Sequence, residues 1–120
     1  GLTHHPKVRE AALQAIRQYG TSCSGSRFLN GTLELHEELE SRLAKFMGQE
    51  AALCFSTGFQ TNLGVISSIA GKNDIILCDR ENHASIIDGC RLSFADVRKF
   101  RHNDTAELEL LLQPAHDQKG

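Results

Sequence analysis

No apolar run in this chain approaches the roughly 20 residues that a membrane-spanning helix needs. The longest, such as Ala51 to Phe55 and Ile75 to Cys78, are a quarter of that or less. No charged-then-apolar leader opens the chain, so a soluble, cytoplasmic protein is expected. Neither charge is in excess: 13 basic residues stand against 15 acidic ones, for a formal net charge of -2, with the signs interspersed. That removes the electrostatic footprint of a nucleic-acid or anionic-membrane partner and leaves small-molecule chemistry. The four cysteines form no C-x-x-C pair, and Cys54 and Cys78 sit inside apolar runs. Reduced structural thiols are therefore expected, not disulfides or metal ligands. No His-x-x-x-His pair supports coordination, so no metal site is expected. Neither G-x-x-x-x-G-K-[ST] nor G-x-G-x-x-G occurs, which disfavours nucleotide binding. There is no internal repeat and no low-complexity tract.

The 120 residues are one domain at most, and 40% hydrophobic content can support a core. Both ends read as cuts in a larger protein, since Gly1-Leu2-Thr3 starts no element and Gln113 to Gly120 is a polar connector. Val8, Ala11, Ala12, Ala15, Ile16 and Tyr19 recur at helical spacing after Pro6, with Gly20 as the stop. Leu35, Leu39, Leu43, Phe46 and Met47 mark a second helix ending at Gly48. The Gly- and Ser-rich stretch from Thr21 to Gly31 between them has no period and is long enough to be functional.

From Ala51 onward the pattern becomes strand, turn, helix. Ala51 to Phe55 reads as a strand and Leu63 to Ile69 as a helix that Gly71 ends. Ile75 to Cys78 is followed by a helix around Ile86 to Leu92, and Val97 to Phe100 by one from about Thr105 to Leu112. Short apolar strands alternating with helices predict an α/β fold with a mostly parallel sheet and flanking helices. Residues 1–48 are expected to carry the N-terminal helices and the Gly-rich loop, and residues 49–120 the first βα units of a larger domain.

In such a sheet, ligands bind beyond the carboxyl ends of the strands. After the first strand comes Ser56-Thr57-Gly58-Phe59-Gln60-Thr61-Asn62. Its hydroxyls can cap the next helix, Gly58 lets the backbone approach a ligand, and the helix N-terminus offers amides to an anion. The same residues also describe a capped helix with no ligand. After the second strand comes Asp79-Arg80-Glu81-Asn82-His83-Ala84-Ser85. His83 can stack on a flat ring, donate a hydrogen bond or move a proton, or it can simply be a surface or capping residue.

These two turns, together with Gly25-Ser26-Arg27-Phe28-Leu29-Asn30-Gly31-Thr32, resemble in order and spacing the α-oxoamine synthases. These are pyridoxal-phosphate (PLP) enzymes of fold type I, with an aspartate aminotransferase-like large domain. The resemblance runs the length of the chain, and the Gly25 to Thr32 string with His36, Glu37 and Glu38 is most like bacterial serine palmitoyltransferases. Aminooxononanoate synthase and aminoketobutyrate ligase remain open. It implies that the amides of Gly58 and Phe59 bind the cofactor phosphate and that His83 stacks on its ring as the catalytic histidine. It also implies that Ser26 meets the amino-acid carboxylate, with Arg27 and Asn30 shaping the loop or touching ligand. The implied reaction joins an amino acid to an acyl-CoA thioester in a homodimer. Lys7, Lys45, Lys72, Lys99 and Lys119 all fall outside the family's Schiff-base lysine motif, which is expected beyond Gly120. Other readings are a non-catalytic subunit or fragment of the same fold, and an unrelated phosphate-binding α/β module.

Overall fold

The structure, a computed structural model, describes residues 1–113. The polar connector expected after Gln113 and Lys119 lie outside the described residues. Two compact units divide the chain, Gly1–Leu53 and the part from Cys54 onward.

In the first unit a single 3-10 turn, Leu2–His4, leads into α1, Pro6–Tyr19. Proline suits the first helical position because its missing N–H would have had no partner there. The His5 Nδ1 accepts from the Lys7 amide at 3.2 Å, and Gly20, at φ 83°, ends the helix as expected. The second helix, α2, is Glu34–Met47, stopped by Gly48 in the left-handed region at φ 64°. Its start is held by His36, whose Nδ1 accepts from the Leu33 amide at 2.9 Å. The apolar stripe of α2 forms as predicted, yet Leu39, Phe46 and Met47 stay exposed, and Ala44 is its one buried residue.

The second unit contains α3 (Gly58–Ile69), β1 (Ile75–Asp79), α4 (Ala84–Leu92), β2 (Asp96–Phe100) and α5 (Thr105–Leu112). The strands pair in parallel, from Ile75 opposite Asp96 to Asp79 opposite Phe100, with α4 as the crossover between them. This is the predicted α/β arrangement. Two local expectations are corrected. The Ala51–Phe55 run is not a strand. A strand is a relation between two backbones, and this run has no ladder partner among the described residues. Helix α3 ends against Ala70, and Gly71 instead opens the following turn, where its amide donates to Asp74 Oδ2 at 2.7 Å.

The interior of this unit lies where α3 packs on α4 and residues of β1 join them. Cys78 and Cys90 are buried there as thiols, and burial pushes the Cys90 thiol up from its ordinary value. Ile66, Ile76, Leu77 and Ile86 line the apolar hollow beside them. The helices approach closely at Gly89, where an added Cβ would stand 3.0 Å from the Asn62 carbonyl oxygen and 3.1 Å from the Ile66 side chain.

Candidate functional site

Helix α3 is preceded by a capping residue. Thr57 is extended (φ -146°, ψ 155°), and its Oγ1 accepts from the Gln60 amide at 3.1 Å. The Thr61 amide takes the Thr57 carbonyl at 3.0 Å as the first bond of the helix. Gly58 and Phe59 are thus the first two helical residues, and no carbonyl one turn earlier is available to their amides. A Cβ added at Gly58 would meet nothing within 4 Å, so open space lies beside these amides. Two unpaired N–H groups, a positive dipole end and room for an approaching atom are what an anion needs.

At the start of α4, His83 is the residue before the first helical turn and its side chain is exposed. The ring Nδ1 accepts from the Ser85 amide at 3.2 Å and lies 2.7 Å from Ser85 Oγ. Ser85 is fully buried at 0% exposure, and its hydroxyl also accepts from Asn62 Nδ2 at 2.9 Å. A buried hydroxyl without partners would cost on the order of 1–3 kcal/mol. Here no buried side-chain polar atom among the described residues lacks one.

The Asn62–Ser85 bond fixes the site. Asn62 lies four residues into α3, a rise of about 6 Å, and Ser85 is the second residue of α4. Bonding between them sets the two N-termini side by side, so the Gly58 and Phe59 amides and the His83 ring share one edge of the unit. Strands β1 and β2 end at that edge. There Asp79 Oδ2 meets His102 Nδ1 at 3.0 Å, and Asp79 Oδ1 accepts from the Glu81 amide at 2.8 Å. The Glu81 amide, and after it His102, hold the Asp79 carboxyl below its ordinary value.

Ser26 belongs to the first unit. Its carbonyl collects the amides of Leu29, Asn30 and Gly31 at 3.0, 3.2 and 2.8 Å, closing a tight turn. A Cβ on Gly31 would collide with the Gly25 and Ser26 backbone, so that position tolerates no side chain, whereas one on Gly25 would meet only the end of the Asn30 side chain, which would have to turn aside. The Ser26 hydroxyl is exposed and has no partner among the described residues. Arg27 supplies the rigidity: its guanidinium takes both Glu40 carboxylate oxygens, at 2.8 and 3.0 Å, and its Nε donates to Thr32 Oγ1 at 3.2 Å. Arg27 therefore braces the loop, and the Asn30 amide helps to close its turn on Ser26.

Three partners had no role in the sequence reading. Asn62 and Ser85 stood inside the two turn motifs, and the His83-x-Ser85 spacing at a helix start was a visible capping signal. Glu40 carried no signal beyond being a carboxylate on the helix after an arginine loop.

The sequence matches the family Aminotransferase class I and II over residues 1–120. A serine palmitoyltransferase of Bacteriovorax stolpii is 58% identical over 113 residues, which are 94% of this chain and 27% of that protein. An 8-amino-7-oxononanoate synthase of Geobacter metallireducens is 48% identical over 120 residues, all of this chain and 30% of the relative. Among solved structures, a serine palmitoyltransferase variant from S. paucimobilis with bound PLP and myriocin superimposes with a TM-score of 0.89 at 42% identity. That match covers 94% of this chain and 29% of the other. Both enzyme names are ones the α-oxoamine synthase resemblance pointed to. The chain spans less than a third of the length of these relatives.

Proposed function

The chain belongs to the Aminotransferase class I and II family, and we propose that it forms the N-terminal part of a PLP-dependent enzyme condensing an amino acid with an acyl-CoA thioester. The observation that carries this is the shared edge at which the free amides of Gly58 and Phe59 stand beside the exposed imidazole of His83, tied by Asn62 and Ser85.

The residues present fit the cofactor. A phosphate suits the α3 N-terminus, where the absent side chain of Gly58 leaves room for it. A flat aromatic ring suits His83. When bound, PLP supplies an electron-withdrawing ring that lets an amino acid's α-proton leave, so that its carbon can attack the thioester. Gly58 and Phe59 would bind the phosphate by their amides, and His83 would face the ring and hold or pass a proton at Nε2. Ser26 donates its hydroxyl to the amino-acid carboxylate, with Arg27 and Glu40 keeping its loop in one shape. The covalent lysine and the partner of the pyridine nitrogen belong to the remainder of the full-length protein, so residues 1–120 alone are inactive. The working form is a cytoplasmic homodimer. No described helix is long and apolar enough to cross a membrane.

Borohydride reduction of the full-length holoprotein, digestion and mass spectrometry test the reading. The pyridoxyl group is expected on one lysine outside residues 1–120. Stoichiometric labelling of Lys7, Lys45, Lys72, Lys99 or Lys119 would overturn it, as would a protein that takes up no PLP.

A further inference from the structure

We propose that Asn62 and Ser85 are positioning residues that fix the His83 ring in the tautomer carrying its proton on Nε2. The ring then meets bound substrate as a hydrogen-bond donor. The inference deepens the reading of His83 given above and rests on it for its functional consequence, but the proton count comes from this structure alone.

The count begins with a backbone amide, the one group whose role cannot be reversed. The Ser85 N–H donates to His83 Nδ1 at 3.2 Å, so Nδ1 bears a lone pair and no proton. In the 2.7 Å contact between Nδ1 and Ser85 Oγ the hydroxyl must then be the donor. With its single proton turned toward His83, Ser85 Oγ has only lone pairs left for Asn62, and accepts from Nδ2 at 2.9 Å. Every donor faces an acceptor in one direction, from Asn62 through Ser85 to His83. Reversing it would place a ring N–H against the Ser85 amide and leave two donors facing one another.

Burial makes the direction stiff. Ser85 has no exposure to solvent, so water cannot substitute for either partner. Gly89 allows the approach: without a side chain there, α4 lies close enough to α3 for the Asn62 amide to reach Ser85. The other ring nitrogen, Nε2, has no partner among the described residues, and in the neutral ring it holds the proton. A histidine held this way is prepared before any ligand arrives, as the second partner of a working imidazole commonly is.

The test is ring ¹⁵N–¹H correlation on the full-length protein labelled with ¹⁵N-histidine, without cofactor, the His83 signals being identified by their loss in His83→Phe. The neutral wild-type ring is expected to show its proton on Nε2 and a bare Nδ1. In Asn62→Asp the donor becomes an acceptor of nearly the same shape and the Ser85 hydroxyl turns toward it. Nδ1, still kept bare by the Ser85 amide, is then expected to lose one of its two donors, its ¹⁵N signal moving toward that of a free lone pair. A wild-type Nδ1–H, or an Nδ1 signal that does not move in Asn62→Asp, would overturn the proposal. In the holoenzyme, Ser85→Ala is expected to lower kcat about tenfold with unchanged PLP affinity, and Ser85→Thr to restore it. Equal kcat in Ser85→Ala and wild type would also overturn the proposal. Failure of the protein to take up PLP would instead defeat the cofactor reading, because the tautomer is read without it.

Discussion

Asp79, the last residue of β1, and His102, in the turn after β2, hold one another at 3.0 Å across the ends of the parallel pair. The contact joins the two chain segments that leave the sheet at the edge carrying His83. Asp79 is also bonded by the Glu81 amide, so one carboxylate ties the β1 exit to itself and to the neighbouring strand. The Arg80 amide continues the ladder by donating to the Phe100 carbonyl at 3.0 Å.

This geometry sets an acid limit. The Glu81 amide and His102 depress Asp79 below its ordinary 3.8, and the Arg101 amide and guanidinium depress Glu107 below 4.5. A carboxyl with a depressed folded value stabilises the fold fully above its unfolded value and loses that contribution as pH falls through the folded one. Stability of the full-length protein is therefore expected to drop below about pH 4.5, and less steeply in Asp79→Asn and Glu107→Gln. Urea midpoints measured from about pH 6 to about pH 3 check this. Identical slopes in wild type and both variants would contradict it.

Gly58→Val tests the anion cradle without disturbing the fold. No protein atom lies within 4 Å of the added Cβ, and the residue is at a helix start, so the cost in stability is expected to be under about 1 kcal/mol. PLP affinity should fall by at least an order of magnitude, because the side chain occupies the approach to the amides. Fluorescence titration alongside thermal melting separates the two effects. A variant that binds PLP as wild type does would place the cradle elsewhere.

His83→Phe keeps a flat ring and removes both nitrogens. Cofactor binding is expected to persist while turnover falls by roughly a hundredfold or more, the range for loss of a proton-handling group. The Ser85 amide and hydroxyl also lose their partner, at about 1 kcal/mol of stability. Steady-state kinetics with saturating PLP decide the matter, and unchanged kcat would return His83 to a capping role.

Arg27→Lys keeps the charge and removes the fork. A lysine cannot take both Glu40 oxygens and Thr32 Oγ1 in one plane, so the loop around Ser26 should loosen. We expect a several-fold higher KM for the amino acid and little change in PLP affinity. Equal loss of both would show that the loop and the cofactor edge are disturbed together, against separate roles for them.

Most helix boundaries were legible in the sequence to within a residue or two; the first residue of α3 was not, lying at Gly58, well before the first apolar marker at Leu63. Pro6, Gly20 and Gly48 act through their own backbone torsions, so no distant residue can alter their meaning. The βα alternation from Ile75 onward and its parallel pairing were legible for a related reason, since a helix between two short strands leaves little other topology. The places of Gly58 and Phe59 in the turn that caps α3, and of His83 at the start of α4, were legible because caps are local features.

What the sequence alone determined was where backbone bonding begins and ends; tertiary structure decided which side chains meet. Ala51–Phe55 has a strand's composition and no strand, because a ladder needs a second backbone that composition does not contain. Asn62 and Ser85 are 23 residues apart, as are Asp79 and His102, and Arg27 and Glu40 are 13 apart. None of these separations is a multiple of a helical or strand repeat on one element. Each pair exists because two packed elements close a loop of chain, and the entropy of closure varies too slowly with length to mark one partner over its neighbours. Burial makes the choice: Ser85, cut off from water by α3 and α4, must find its bonds among the atoms that enclose it, and those are Asn62 and His83.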